Sequence, residues 1–186
     1  MPLTEKDYEQ AAGRLGVEVA AIKAVAEVES RGEGFNADGT PKILFERHYF
    51  HTLTFGRYSG THPHISNEKS GGYGKSADQH KRLQQAAALD RAAALQSASW
   101  GKFQVLGVNW ARLKYTSLQE FINAMYRDEA AHLDSFVRFV EANKLVGALR
   151  TKNWKSFAAK YNGPNYRVNK YDTKMAQAYA RHRKAA

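Results

Sequence analysis

Glu29 is the residue whose type and position most favour acid catalysis. Four apolar residues precede it at spacings of four, four and three, namely Val17, Ala21, Val25 and Val28. This periodicity predicts a helix over residues 17–29, and the partial negative charge at the helix end disfavours an ionised carboxylate there. A carboxylic acid that stays protonated can donate a proton to the leaving oxygen of a glycosidic bond. The alternative interpretation is a solvated glutamate at a helix end.

Glu46 is the candidate for a second carboxylate, 17 residues after Glu29. It follows the apolar run 43–45, and the turn-forming residues 36–41 before that run predict a small β-hairpin. In glycosidases a second carboxylate about 5 Å from the acid acts as a nucleophile, whereas about 6.5–9.5 Å leaves room for a water. We expect Glu46 to steer water or to stabilise the oxocarbenium ion. An ion pair with Arg47 or another base is the alternative.

Three short motifs follow one another along the chain. Glu29-Ser30 is the first, residues 97–105 (SASWGKFQV) are the second, and Tyr161-Asn162-Gly163 is the third. Their order resembles the layout of goose-type lysozymes and soluble lytic transglycosylases. In those families a Glu-Ser pair closes a helix, a Gly-x-x-Gln element lines the sugar groove, and an aromatic-Asn-Gly turn faces the acid. The resemblance therefore implies a lysozyme-like fold with an acid at the first motif.

Other stretches narrow the resemblance to one family. Four of them resemble the N-acetylmuramidase domains of bacteriophage endolysins that attack Gram-negative hosts: residues 29–35 (ESRGEGF), 43–48 (ILFERH), 71–74 (GGYG) and 97–104 (SASWGKFQ). The similarity extends over residues 17–179. It implies a mostly α-helical lysozyme-like fold, cofactor-free hydrolysis of the β-1,4 bond between N-acetylmuramic acid and N-acetylglucosamine, and a role in bacterial lysis.

The resemblance and the residue types together indicate a set of site residues. Three are expected to be catalytic, namely Glu29, Glu46 and Tyr161. Five are expected to bind substrate, namely Ser30, Tyr73, Trp100, Gln104 and Asn162. Goose-type relatives often lack a firmly assigned second carboxylate, so the role of Glu46 stays open between catalysis and an ion pair.

Side-chain chemistry leaves two interpretations for several of these residues. The amide of Gln104 can bond an acetamido or hydroxyl group, or it can lie on a helix surface. The Tyr161 hydroxyl can orient the acid, or its ring can contact a sugar or end a helix in the core. Trp100, Tyr73 and Phe103 can be sugar platforms, although aromatic residues at helical spacing are more often core.

Helices must position most of these residues, in an α+β, predominantly α-helical fold with one small β-hairpin. Thr4 and Asp7 predict a first helix through Arg14. The other helices are predicted over residues 77–95, around 100–106, over 117–143 from a capping box, over 153–160, and as a basic helix or tail from Arg167. The buried face of the 117–143 helix is predicted to contain Phe121, Ala124, Met125, Leu133, Phe136, Val137 and Val140.

Residues 56–76 predict a long irregular loop, which is rich in Gly, Ser, His and Asn. The run 71–74 within it lacks the flanking elements of a phosphate cradle, so we expect a mobile lid or a cleft wall. His48 and His51 on a predicted helix, and the pair at His62 and His64, match no zinc pattern of known mechanics. No metal site is therefore expected.

Charge and composition indicate the kind of partner. The 186 residues fit one domain over residues 1–186, and the absence of cysteine excludes disulfides and thiolate sites. The net charge is +10, and residues 150–186 carry ten Lys and Arg against Asp172 alone. Such a charge favours an anionic partner. We expect a monomer that binds peptidoglycan and, through the basic C-terminal region, the anionic cell envelope.

Three alternative functions remain: a lytic transglycosylase, a basic nucleic-acid-binding protein, and a wall-binding module without catalysis. A lytic transglycosylase would use the muramyl 6-hydroxyl in place of water and give 1,6-anhydro-muramyl products. A basic nucleic-acid-binding protein is supported by the charge and by Tyr166, Tyr171 and Tyr179 among basic residues. No helix-turn-helix or RNA-binding signature accompanies the charge, so nucleic acid is not an expected partner.

The start of the sequence indicates a location. Its first ten residues lack the basic start and apolar run of a secretion signal, and no apolar stretch reaches about 18 residues. We therefore expect synthesis in the cytoplasm of the host bacterium without a signal peptide. Release through a separate pore-former would then bring the protein to the periplasm, where it acts.

Overall fold

The fold is known from a computed structural model, in which the backbone is mostly α-helical with a small antiparallel sheet. The predicted fold class is therefore confirmed. The contacts divide the chain into two units, residues 1–34 with 128–186 and residues 35–127, and a single domain remains a prediction. None of the described helices is long and apolar enough to cross a membrane. The structure describes three stretches of the chain: residues 2–30, 32–161 and 167–184.

The first unit begins with two helices, α1 (Glu5–Leu15) and α2 (Val19–Glu29). Thr4 caps α1 as predicted, because its hydroxyl accepts from the Asp7 N–H while the Asp7 carboxylate accepts from the Thr4 N–H. The second helix begins two residues later than predicted. It ends at Glu29, which confirms the predicted boundary.

The second unit contains the sheet. Its strands β1 (Ile43–Phe45), β2 (Ala98–Trp100) and β3 (Val105–Leu106) are antiparallel and adjacent in this order. Leu44 lies opposite Ser99 in the first pair. The sheet therefore joins a segment near the second candidate carboxylate to the motif at residues 97–105.

The hairpin predicted around residues 36–45 is wrong. Those residues do turn, since the Asn36 N–H donates to Thr40 O at 2.8 Å. The turn closes only a single bridge between Phe35 and Pro41, and β1 then pairs with β2. The hairpin of this unit is β2–β3, within a three-stranded sheet, because the partner of β1 comes from a distant part of the chain.

The helix predicted around residues 100–106 is also wrong. This stretch is the end of β2, a turn, and β3. Gly101 (φ 69°) and Gln104 (φ 50°) adopt left-handed backbone conformations, which a right-handed helix excludes. The turn therefore reverses the chain so that Trp100 lies opposite Val105.

Helices and a long loop complete the second unit. The helices are α3 (Arg47–Leu53), α4 (Gln79–Leu89), α5 (Arg91–Gln96) and α6 (Leu118–Arg127). The single helix predicted over 77–95 is interrupted at Asp90, whose backbone is extended and whose carboxylate accepts from the Ala93 N–H at 2.9 Å. This N-cap starts a new helix. Between α3 and α4 the chain is irregular apart from a short 3-10 turn at Ser76–Asp78, which confirms the predicted loop.

The remaining helices belong to the first unit: α7 (Glu129–Ala142), α8 (Val146–Arg150), α9 (Trp154–Tyr161) and α10 (Tyr171–Lys184). The long helix predicted over 117–143 is therefore two helices. Asp128 separates them, because its extended backbone stops α6 and its carboxylate accepts from the Ala131 N–H at 2.7 Å to start α7. All seven residues of the predicted apolar face are nonetheless buried.

The core of the first unit is apolar and aromatic. Its fully buried side chains include Ile22, Phe136, Val140, Leu149, Phe157 and Met175. Helix α10 packs along α2, with Met175 and Ala178 turned inward. The basic C-terminal stretch is thus a packed helix over residues 171–184.

Candidate active site

Glu29 is the last residue of α2 and is partly buried. The helix before it is firmly packed, since Ala21 and Val25 are fully buried. Ser30 follows as the C-cap, donates its N–H to Ala26 O at 2.9 Å, and continues in an extended conformation. The carboxylic acid is therefore carried on the last turn of a rigid helix, at its negative end.

Tyr161 ends α9 and is the tyrosine that interacts with Glu29. Burial raises the pKa of its hydroxyl well above the usual value, and the charges of Glu29 and then Tyr171 raise it further. Its ring is stacked on Phe157 and lies edge-on to Phe136 and Phe139, at centroid distances of 5.5, 5.8 and 5.3 Å. The ring therefore packs among aromatic residues of the first unit, and the raised pKa keeps its hydroxyl protonated.

Two further residues of the first and third motifs, Ser30 and Asn162, are predicted to bind substrate. The Ser30 hydroxyl makes no hydrogen bond to another residue in the described part of the chain. Asn162, with Gly163 next to it, lies outside the described residues, as does Arg31 of the first motif.

Helix α10 supports α2 through ion pairs. Arg181 and His182 both contact the Glu27 carboxylate, the latter from Nε2 at 2.8 Å. Burial raises the pKa of Glu27, but the hydrogen bonds from Arg181 and His182 outweigh it, so the pKa lies below its usual value. The Tyr179 hydroxyl donates to Glu18 at 2.5 Å near the start of α2. Arg181 and His182 therefore attach α10 to the catalytic helix through Glu27.

Glu46 occupies the N-cap position of α3, and its side chain is 14% exposed. The Tyr73 hydroxyl hydrogen-bonds to this carboxylate; burial raises the pKa of Tyr73, and the charge and hydrogen bond of Glu46 raise it further. His48 Nδ1 lies 3.4 Å from Glu46 Oε2. Arg47, the partner named in the ion-pair interpretation, donates from Nε to Lys69 O at 3.1 Å. Tyr73 and His48 are thus among the described residues that lie at Glu46.

The glycine-rich run that carries Tyr73 is held by side chains of α3 and α4. Arg82 donates to Gly72 O at 2.7 Å, Gln79 donates to Tyr73 O at 2.6 Å, and both donors are buried. The Arg47 guanidinium packs on Gly72, where a Cβ would come within 2.6 Å of Nη1 and where φ is 64°. Only glycine fits there. These contacts favour a cleft wall over a mobile lid.

Gln104 lies in the β2–β3 turn, so its interpretation as a helix-surface residue is wrong. Its left-handed backbone, with φ of 50°, is costly for a residue with a side chain. Its amide Nε2 donates to Gly101 O at 2.9 Å and lies 3.5 Å from Lys42 O. Its amide oxygen accepts no hydrogen bond from the described residues.

Trp100 and Phe103 are core residues, 1% and 3% exposed. The Trp100 indole N–H donates to Leu95 O at 3.1 Å. The assignment of Trp100 as a sugar platform is therefore not supported, because its ring has no accessible face. The neighbouring Tyr126 ring, 6.2 Å away between centroids, is the exposed aromatic at this place, 46% exposed.

Sequence reasoning misses two buried polar residues of α7. Glu129 and His132 are 4% and 1% exposed, and both contact Gly34, five residues after Glu29. They occupy the helical stripe that continues to Phe136, at spacings of three and four. The sequence signal that could have identified Glu129 and His132 is the presence of polar residues within an otherwise apolar helical stripe.

A mostly helical chain with a small antiparallel sheet, in which an apolar helix ends at a carboxylic acid, has the architecture of the lysozyme-type glycosidases. The Muramidase family model, described as N-acetylmuramidase, matches residues 18–183. The chain therefore belongs to the N-acetylmuramidase family.

A solved structure is similar over nearly the whole chain. It is the crystal structure of Burkholderia AP3 phage endolysin, 44% identical, with a TM-score of 0.94 and a match that covers 98% of this chain and 71% of that chain. No curated protein matches the chain. The protein is a peptidoglycan-lysing muramidase, a glycoside hydrolase of the lysozyme type, and its substrate is peptidoglycan.

Proposed function

We propose that this muramidase hydrolyses the β-1,4 bond between N-acetylmuramic acid and N-acetylglucosamine, with Glu29 as the general acid. The observation that carries the proposal is the end of α2 at Glu29, with the protonated Tyr161 hydroxyl interacting with it. The negative end of a helix and partial burial both favour a carboxylic acid over a carboxylate. Such a group holds the proton that the leaving oxygen takes.

Four other residues act with Glu29 in this proposal. Tyr161 orients the carboxyl group through its hydroxyl, which stays protonated because its pKa is raised. The Ser30 hydroxyl and the Gln104 amide oxygen bind polar groups of the glycan. Asn162 is included only because of its position in the third sequence motif.

Glu46 supplies the second carboxylate of hydrolysis in this proposal, by orienting water or by stabilising the oxocarbenium ion. Its N-cap position and the hydrogen bond from Tyr73 both favour the ionised form. Tyr73, whose hydroxyl is engaged by Glu46, acts through that carboxylate instead of serving as a sugar platform.

Analysis of the products tests the reaction directly. Purified peptidoglycan is digested, and the muropeptides are weighed by mass spectrometry with and without borohydride reduction. Hydrolysis leaves N-acetylmuramic acid at a reducing end, which gains two hydrogens on reduction. A 1,6-anhydro end is one water lighter and does not change, so its dominance would replace the hydrolase proposal with a transglycosylase. Reducing ends on N-acetylglucosamine would contradict the proposed bond.

The cellular role follows from the same proposal. The similar solved structure is that of a phage endolysin, and we infer that this chain is likewise a monomeric, single-domain endolysin. It is made in the cytoplasm of the host bacterium and reaches the peptidoglycan through a separate pore-former. Arg183 and Lys184, both exposed on α10, contribute to attraction by the anionic envelope. Cosedimentation with cell walls at several salt concentrations tests that attraction.

A further inference from the structure

Glu129 places a charged side chain in the interior of the first unit. It is the first residue of α7 and only 4% exposed. Its Oε1 accepts a hydrogen bond from the backbone N–H of Gly34 at 2.6 Å. A helix start favours a carboxylate, because the free N–H groups of the first turn make that end positive. The helix start and the Gly34 N–H both stabilise this buried side chain.

Gly34 is also pressed against His132. A Cβ on Gly34 would lie 2.6 Å from His132 Nδ1, 2.9 Å from its Cε1 and 3.2 Å from Glu129 Oε1. Real Cβ atoms do not approach so closely, and the imidazole is 1% exposed and has no room to move aside. The chain can therefore take this path only with glycine at position 34.

Gly34 lies on the segment that follows the catalytic helix. Glu29 occupies the last position of α2, where helices fray, and Ser30 already has an extended backbone. Gly34 is buried four residues beyond Ser30. A fixed point at Gly34 limits the directions in which the end of α2 can move.

We propose that Glu129 and His132 anchor Gly34 and thereby position Glu29 for proton donation. Both are positioning residues that act through Gly34 and do not touch the substrate. This inference rests on the proposed role of Glu29. The anchor would explain how the carboxyl group keeps one position although it lies at the end of a helix. A displacement of about 1 Å can lower the rate about 100-fold.

Kinetics of folded variants test the anchor. Glu129→Leu removes the acceptor, and Gly34→Ala inserts the clashing Cβ. In both we expect kcat on soluble peptidoglycan fragments to fall about 10- to 100-fold while KM changes less than about threefold, because the acid is displaced and the sugar contacts persist. Glu129→Gln keeps a carbonyl oxygen for the Gly34 N–H, so kcat should recover to within about fivefold of wild type. Glu141→Gln, on the exposed end of the same helix, is the matched control and should keep wild-type kcat.

The outcomes separate this inference from the proposal on which it rests. If Glu29→Gln is inactive while folded Glu129→Leu and Gly34→Ala keep wild-type kcat, the anchor is only structural and the inference is wrong. If Glu129→Gln is as inactive as Glu29→Gln and loses a limb of the pH profile, Glu129 handles a proton and is not a positioning residue. Full activity of Glu29→Gln would overturn the proposed acid itself.

Amide hydrogen exchange in the wild-type protein tests the anchor without any variant. The Gly34 N–H should exchange slowly, because it is buried and bonded to a carboxylate, whereas the N–H of exposed Glu33 should exchange fast. Rapid exchange at Gly34 would show that the contact is transient and would overturn the inference, even if Glu129→Leu does not fold.

Discussion

The two candidate carboxylates lie at opposite ends of their helices. Glu29 is the last residue of α2, whereas Glu46 is the N-cap of α3. The negative end disfavours a charge on the first, and the positive end favours a charge on the second. In glycosidases, two carboxyl groups take different roles when their surroundings shift their pKa values in opposite directions. The two helix ends therefore favour different protonation states for two residues of the same type.

The supports of the two carboxylates differ as well. Glu29 is held by packed helices, with α10 paired to α2 through Glu27 and the aromatic core around Tyr161. Glu46 is held by a loop residue, Tyr73, whose run is fixed by hydrogen bonds to its backbone carbonyls. Changes in helix packing should therefore affect the first group, and changes in polar loop contacts should affect the second.

Replacing the acid should have the largest effect. Glu29→Gln keeps the size of the side chain but cannot donate the proton, so activity should fall by about 10²- to 10⁴-fold with little change in melting temperature. Turnover on soluble fragments measures the loss, and Glu33→Gln, on an exposed residue of the next loop, is the control. A folded variant that retains more than about a tenth of wild-type turnover would show that Glu29 is not the acid.

Replacing the second carboxylate should have a smaller effect. Glu46→Gln removes a negative charge while protonation by Glu29 survives, so hydrolysis should fall about 10- to 100-fold. The same fragment assay, with circular dichroism to verify folding, gives the ratio of the two losses. Unchanged hydrolysis would show that Glu46 is only a structural partner of His48 and would contradict its proposed role as the second carboxylate.

Tyr73→Phe tests how the loop supports Glu46. The variant removes one hydrogen bond to a carboxylate and leaves the ring, so kcat should fall about threefold to tenfold. Without this donor the charged form of Glu46 is less favoured, and the acid limb of the pH–rate profile should move to higher pH. A variant with lower affinity for fragments and an unmoved profile would instead favour direct contact of Tyr73 with sugar.

Arg181→Gln tests the support of the acid helix. The pair with Glu27 is largely exposed, so its loss should lower the free energy of unfolding by only about 0.2–1 kcal/mol. Since the folded state lowers the pKa of Glu27, this stability is present above its unfolded value of about 4.3 and is lost as pH falls below it. The difference between variant and wild type in urea unfolding should therefore be larger at pH 7 than at pH 3. An equal difference at both values would contradict the ion-pair explanation.

The smallest effect on catalysis is expected at the end of α10. Arg183→Gln with Lys184→Gln should weaken binding to whole cell walls at low salt and leave turnover on soluble fragments unchanged, because exposed charges act over only about 8 Å at physiological salt. Both side chains are exposed. Equal wall binding by variant and wild type at low salt would leave these charges with a solubilising role only.

Local interactions account for what the sequence predicts well. The end of α2 at Glu29 follows from an apolar stripe, and the start of α1 follows from Thr4 and Asp7. Capping and helical periodicity act over three or four residues, so the sequence contains all the information they need. Because periodicity acts over this short distance, the apolar face of residues 121–140 is predicted correctly. The single helix predicted there is nevertheless two helices in the structure.

The tertiary structure decides what depends on residues far apart in the chain. β1 pairs with β2 instead of a neighbour, the stretch around Gln104 becomes a turn, and Trp100 is enclosed in the core. The Glu129 carboxylate accepts from Gly34 across 95 residues of sequence. No local pattern encodes such a contact, because the burial of a polar group is stabilised only when the fold brings a specific partner to it.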